Sequence, residues 1–154
     1  PLSSDLVPAW VSMLARHPWE WFGTFTFKAE VHPEAADKVF RLWARRIGRQ
    51  IDTARAVRSG RGGVIWVRGL EWQKRGVIHF HALLRAVHSL DENVSRFEAM
   101  GLWETLAGGY ARIFPVQSAR AAAAYVCKYS VKGGEIDFSS NFEDTRLQRG
   151  LAIS

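Results

Sequence analysis

The segment Glu71–Leu84, EWQKRGVIHFHALL, constrains the fold of this chain more than any other. Two runs of strand-prone residues flank Lys74-Arg75-Gly76, and three residues with glycine at the left-handed position make a common hairpin loop. That loop pairs Gln73 with Val77, Glu71 with His79 and Gly69 with His81. Strand side chains alternate between faces. Glu71, His79 and His81 therefore share one face, and Gly69 leaves room beside His81. Leu70, Trp72, Ile78, Phe80, Ala82 and Leu84 fall on the other face, which is expected to be core, as is Trp66 by phase. A slip of one residue would drive Glu71 into that core, where an unpaired carboxylate is costly.

Around this hairpin the periodicity sets an order of elements. Asp5 to Arg16 is predicted as an amphipathic helix with Leu6, Trp10, Met13 and Leu14 on one face, ended by His17-Pro18. Trp21 to Phe27 alternates as a strand. Pro33 opens a long helix to about Arg58, with Ala36, Phe40, Trp43, Ile47 and Ile51 as its buried stripe. Val64 to Gln73 and Val77 to Ala86 are the hairpin strands. Asp91 is expected to cap a helix running through Phe97, Trp103 and Leu106 to Gly108-Gly109. Tyr110 to Val116 is a short strand. Ser118 caps a last helix, Ala119 to Lys132, stopped by Gly133-Gly134, and an irregular or partly helical tail follows. Setting the first helix aside, the order is β-α-β-β-α-β and then a helix. That is the α+β, ferredoxin-like, split βαβ antiparallel sheet. Helices are expected on one face and the active site on the other, with Trp21–Phe27 lying beside His79–His81.

The chain has 154 residues, enough for one domain with a real core. Seven tryptophans indicate a well-packed core, an aromatic binding surface, or both. Cys127 is the single cysteine, so no intrachain disulfide can form. Its phase on the last helix marks it for the core. There is no signal peptide and no apolar run long enough to span a bilayer, and a soluble, cytoplasmic protein is expected. The sequence does not begin with Met, so a processed chain or a domain excised from a longer protein is expected. Net charge is +6. Arg41, Arg45, Arg46, Arg49, Arg55, Arg58 and Arg61 face a single acid, Asp52, within one stretch. That stretch is either a solvated helix face or a phosphate-contacting patch, and the forked guanidinium favours phosphate.

Two constellations carry chemistry. Glu71, His79 and His81 form a mixed nitrogen and oxygen set that suits Mn²⁺ or Mg²⁺ and leaves positions open for water and a phosphate oxygen. Gln73 lies on the same face and is the alternative oxygen ligand. His17, His32 and His88 are expected in loops or on the surface. On the last helix, Tyr125, Lys128, Tyr129 and Lys132 fall at i, i+3, i+4 and i+7 and share a face, although tyrosines at this spacing also suit a half-buried core. Thr24 and Thr26 alternate with Phe25 and Phe27 and point toward the site side, where they are candidate DNA contacts or ordinary strand residues.

Taken together, these motifs resemble those of the HUH endonucleases. His79-Phe80-His81 resembles the metal motif of that superfamily, YVCKYSVK its two-tyrosine motif from rolling-circle replication initiators, and FGTFTF its first motif. They occur in the family's order and span Phe22 to Lys132. The resemblance implies metal-dependent nicking and rejoining of single-stranded DNA at a replication origin through a covalent 5′-phosphotyrosine. It implies His79, His81 and Glu71 as ligands, Tyr125 and Tyr129 as candidate nucleophiles, and Lys128 and Lys132 as their cationic support. Arg41, Arg45, Arg49 and Arg75 are the expected DNA contacts beside Thr24 and Thr26, and a host helicase or polymerase an expected partner. Two other readings remain. One is a non-catalytic ferredoxin-like module of the RNA-recognition type, which would show aromatics rather than histidines on its exposed third strand. The other is a transposase or relaxase of the same superfamily.

Overall fold

The hairpin forms in the expected register. Glu71 pairs with His79 and Gly69 with His81, the Gln73 amide donates to the Val77 carbonyl, and Gly76 takes a left-handed φ of 73°. The computed structural model describes residues 4–59, 62–131 and 135–142, with the backbone alone for 129–131. Arg61 and the Gly133-Gly134 helix stop lie outside the described residues. Strands β1 (Trp21–Thr26), β2 (Val64–Trp72), β3 (Ile78–Ala86), β4 (Ala111–Pro115) and β5 (Ile136–Phe138) form one sheet, order β4-β1-β3-β2-β5. All four pairings are antiparallel. The helices are α1 (Val7–Leu14), α2 (Pro33–Ile51), α3 (Ala54–Arg58), α4 (Leu90–Asn93), α5 (Arg96–Ala107) and α6 (Ala119–Val131). The class is α+β with the split βαβ order, and β1 and β3 are adjacent at its centre. No helix among the described residues is long and apolar enough to cross a membrane.

Alternation along the strands divides the apolar residues between two cores. Trp21, Phe25, Trp66, Leu70, Phe80 and Leu84 pack with Phe40, Trp43 and Trp103 of α2 and α5. Trp43 and Trp103 are fully buried, and their indole N–H groups donate to the Ala99 and Thr26 carbonyls at 2.8 Å, so their burial leaves no unmet donor. On the other face, Val67 and Leu83 pack with Val11 and Leu14 of α1 and with Ala123, Val126 and Cys127 of α6. The histidine face is thus partly roofed by two helices in addition to the expected layer behind it.

Several boundaries fall elsewhere than periodicity puts them. α2 stops at Ile51 because Asp52 turns extended and its carboxylate accepts the Gly63 N–H at 2.7 Å; Thr53 then caps a separate α3. Ser89 and Ser95, not Asp91, cap two helices. Asp91 instead accepts from the Trp21 indole at 2.7 Å and pairs with Arg96. The expected tail contains β5, which extends the sheet along β2. Trp72 is 50% exposed and Leu6 51%, so neither is core. Trp72 ends β2 beyond the reach of β5, whose pairing stops at Gly69.

Strand β2 also places Arg68 on the helix side, among Phe40, Trp66 and Phe80, with its guanidinium 4.1 Å from the Phe80 ring centroid. Its charge is met by Asp37 of α2 at 2.6 Å and Asp137 of β5 at 3.4 Å. Arg41 bridges the same two carboxylates at 2.9 and 2.8 Å. Burial alone would raise the Asp37 pKa, but hydrogen bonds from Arg68 and Arg41 outweigh it and hold the pKa below the usual carboxylate value. Stability from this group is therefore full above the unfolded carboxyl pKa of about 3.9 and is lost as pH falls through the lower folded value. Asp37→Ala should cost about 3 kcal/mol in urea unfolding near pH 7, because the buried Arg68 guanidinium loses its closest partner. It should also flatten the acid limb of the stability profile. A variant as stable as the wild type at neutral pH would show that Asp137 alone satisfies Arg68.

Candidate active site on the histidine face

The site is built from the centre of the sheet outward. β1 pairs Thr24 with His81 and Thr26 with His79, so β3 carries its histidines between β1 and the Glu71 strand. His81 is 3% exposed. Its Nδ1 lies 3.2 Å from Thr24 Oγ1 and its Nε2 2.7 Å from Glu71 Oε2. The two contacts fix the ring plane and aim Nε2 at the carboxylate, the arrangement by which a neighbouring group orients a ligating imidazole. His79 is half-buried, with Nδ1 2.9 Å from the Gln73 side-chain amide. Burial pulls the His79 pKa below the ordinary histidine value, opposed by the Glu71 charge and aided by His81. The ring is therefore neutral at pH 7, the form that ligates metals.

The donor types and the register fit a divalent cation. Glu71, His79 and His81 sit on two paired strands and present two nitrogens and a carboxylate to one side. Their rotamers, however, are engaged with Gln73 and with each other. Among the described residues, no three His, Cys, Asp or Glu side chains form a group that could hold a metal. Bringing them together needs rotation of side chains, since the strands already hold the correct positions.

Helix α6 crosses this face and supplies the tyrosine. Tyr125 packs edge-on against His81, with ring centroids 5.1 Å apart, and edge-on against Phe22 at 5.4 Å. It keeps 40% exposure. The Lys128 Nζ lies 6.0 Å from the Tyr125 ring centroid. Ser118 caps α6, its hydroxyl accepting from the Ala121 N–H. Gly69 is the reason the helix can lie so close: a Cβ there would sit 2.7 Å from the Val126 carbonyl oxygen. Cys127 is fully buried behind the tyrosine, and burial pushes its thiol up to about 11, which makes it inert packing.

The structure thus brings together Glu71, His79, His81, Thr24, Tyr125 and Lys128. Tyr129 lies on α6, with its side chain outside the described residues, and Lys132 lies outside them entirely. Thr26 faces the site side but is 3% exposed, and its hydroxyl donates to the Tyr110 carbonyl and accepts the Tyr110 N–H. It holds the start of β4 and does not reach the surface. Arg41, Arg45 and Arg49 belong to α2, behind the sheet. Arg41 is held by Asp37 and Asp137, while Arg45 and Arg49 are exposed. Arg75 is exposed in the hairpin loop. Phe22, which wedges the tyrosine against the histidine, was legible in principle, because alternation puts it on the face of Thr24.

The family model for the replication-associated protein ORF2 matches residues 20–134, roughly three quarters of the chain and every strand from β1 to β4. No curated protein and no solved structure matches. Gly69→Ala should push α6 off the sheet, separating Tyr125 from His81 at a cost of about 1–3 kcal/mol. The checks are the urea midpoint and the NMR cross-peaks between the two rings. Intact cross-peaks with an unchanged midpoint would mean that α6 does not depend on the glycine.

Proposed function

The chain belongs to the replication-associated protein ORF2 family, a family of rolling-circle replication initiators, and from that premise we propose that it nicks and rejoins single-stranded DNA with Tyr125 as nucleophile. The observation that carries this reading is the edge-on packing of Tyr125 against His81, whose far nitrogen meets Glu71. A nucleophile, an oriented imidazole and a carboxylate then occur within one layer of side chains, at the mouth of an exposed surface.

The residues that would hold a divalent ion, Mn²⁺ or Mg²⁺, are His79, His81 and Glu71, with Gln73 as the alternative oxygen donor. Bound there, the ion would supply Lewis-acid polarisation of a phosphoryl oxygen and fix the scissile phosphate. The protein's own part is positioning and charge. Tyrosine has an ordinary pKa of about 10 and is protonated at neutral pH. The Lys128 ammonium close to the ring favours the phenolate that attack requires. The Tyr125 oxygen gives up its proton and forms a bond to phosphorus, and the bond from phosphorus to the 3′-oxygen breaks. The 3′-oxygen leaves with the electron pair and takes a proton, giving a 5′-phosphotyrosine and a free 3′-hydroxyl. Because one phosphoester replaces another, the reverse attack rejoins the strand without ATP. Thr24 holds the His81 ring so that Nε2 stays toward Glu71. Tyr129 and Lys132, one turn further along the helix by sequence, would let a second strand be taken while the first stays linked. Exposed Arg45, Arg49 and Arg75 would meet phosphates away from the reacting bond.

Wild-type protein mixed with a pool of single-stranded DNA and Mn²⁺ should give a covalent band on a denaturing gel, absent with EDTA. Tyr125→Phe should abolish that band in a background where Tyr129 is also Phe. Thr24→Val should reduce it by about 10–100-fold. Adduct formation that survives in the double phenylalanine variant would remove tyrosine from the mechanism, and no adduct with any DNA would leave a binding module.

A further inference from the structure

Beyond the reacting residues, the histidine face continues across β1 onto β4, and there it changes character. β4 is the edge of the sheet. Its residues Arg112 and Phe114 pair with Thr24 and Phe22 and so point to the same side as His81. Tyr110, held to Thr26 by two hydrogen bonds, continues that alternation. All three are exposed, Tyr110 at 55% and Phe114 at 56%. The Arg112 guanidinium lies 5.6 Å from the Tyr110 ring centroid. Beside Phe114, a groove of about 430 Å³ runs between the end of β4 and the first half of α6. Phe22 and Phe114 line it on one side, Ala121 and Ala122 on the other, and Tyr125 stands at its end. Its size lies in the range of small-ligand sites.

Large exposed aromatics grouped on one surface mark a partner site. Tyr110 and Phe114, with Tyr125, occupy one side of the sheet and enclose the Arg112 cation, which a purely apolar partner would have to desolvate. An aromatic–cation–aromatic row suits a polyanion with flat apolar groups, which is single-stranded nucleic acid. The row is also continuous with the tyrosine through the ring contact of Phe22 and Tyr125 at 5.4 Å.

We propose that the β4 row is the track that leads single-stranded DNA to Tyr125, with one base stacked on Phe114 in the groove and Arg112 on a phosphate. The proposal rests on the nicking reading for its substrate class and adds the residues that choose which phosphate is presented. Phe114 and Arg112 are binding and positioning residues; neither touches the reacting bond. A base seated between Phe114 and α6 fixes the adjacent phosphate relative to Tyr125. Gln117 at the same groove offers an amide to the edge of that base.

The test uses the full chain in EDTA, where no chemistry occurs, with single-stranded oligonucleotides carrying 2-aminopurine. Fluorescence quenching reports stacking and anisotropy reports affinity. Phe114→Ala should weaken binding by about 5- to 100-fold and remove the quenching. Arg112→Gln should lower the slope of log affinity against log salt by about 0.7. Phe97→Ala, which removes another exposed ring from α5 behind the sheet, should change neither. Wild-type binding that is undiminished in Phe114→Ala and Arg112→Gln overturns the track while leaving the nicking reading intact. Wild-type protein that neither binds single-stranded DNA nor forms adduct overturns both. Self-association lost in Phe114→Ala, with DNA binding unchanged, gives the row to a second copy of the chain and also overturns the proposal.

Discussion

The structure depends on β3 being hydrogen-bonded on both sides at a fixed register. Its nine residues pair with β1 on one edge and β2 on the other. Since side chains alternate with a period of two, a slip of one residue on either edge would exchange Phe80 and Leu84 for His79 and His81. The cost of such a slip is prohibitive, because Phe80 and Leu84 are fully buried against an aromatic cluster from α2 and α5. The apolar face thereby fixes the polar one. Every later step, from the His81–Glu71 contact to the packing of α6, inherits its position from that register.

Two polar devices hold the halves of the molecule on this sheet. Behind it, Arg68 sits among aromatic rings and is matched by carboxylates from α2 and β5, so a buried charge ties the edge strand to the helix layer. In front of it, Thr24 and Thr26 do different work from adjacent same-face positions. Thr24 orients His81, and Thr26 fastens the start of β4 through both its hydrogen-bonding functions. The absence of a side chain at Gly69 then lets α6 approach until Tyr125 touches the histidine ring. The tyrosine–histidine layer and an open aromatic row come to lie on one continuous surface.

Much of this was legible in the primary structure, for identifiable reasons. Loop length and glycine placement gave the hairpin register, alternation gave the shared face of Glu71, His79 and His81, and helical spacing gave the buried stripe of α2. Features set by single long-range contacts were not legible. Asp52 ends α2 because Gly63 needs an acceptor. Asp91 takes an indole N–H instead of a cap. Arg41 belongs to an ion-pair network with Asp137, although its sequence neighbours mark it as one of a run of phosphate-binding arginines. Trp72 has the right phase for the core and the wrong place, at the end of β2 where the sheet narrows.

The sequence by itself determined the α+β class, the strand pairing at the centre, and the identity of the histidine, carboxylate and tyrosine groups, because these follow from periods of two and 3.6 and from local turn chemistry. Tertiary structure alone decided which threonine orients His81 and which is buried, that α6 lies over Gly69 with Tyr125 against His81, and that Tyr110, Arg112 and Phe114 extend the same face. Those outcomes require distances between residues far apart in the chain, and they are fixed by close packing across the sheet, which no local pattern encodes.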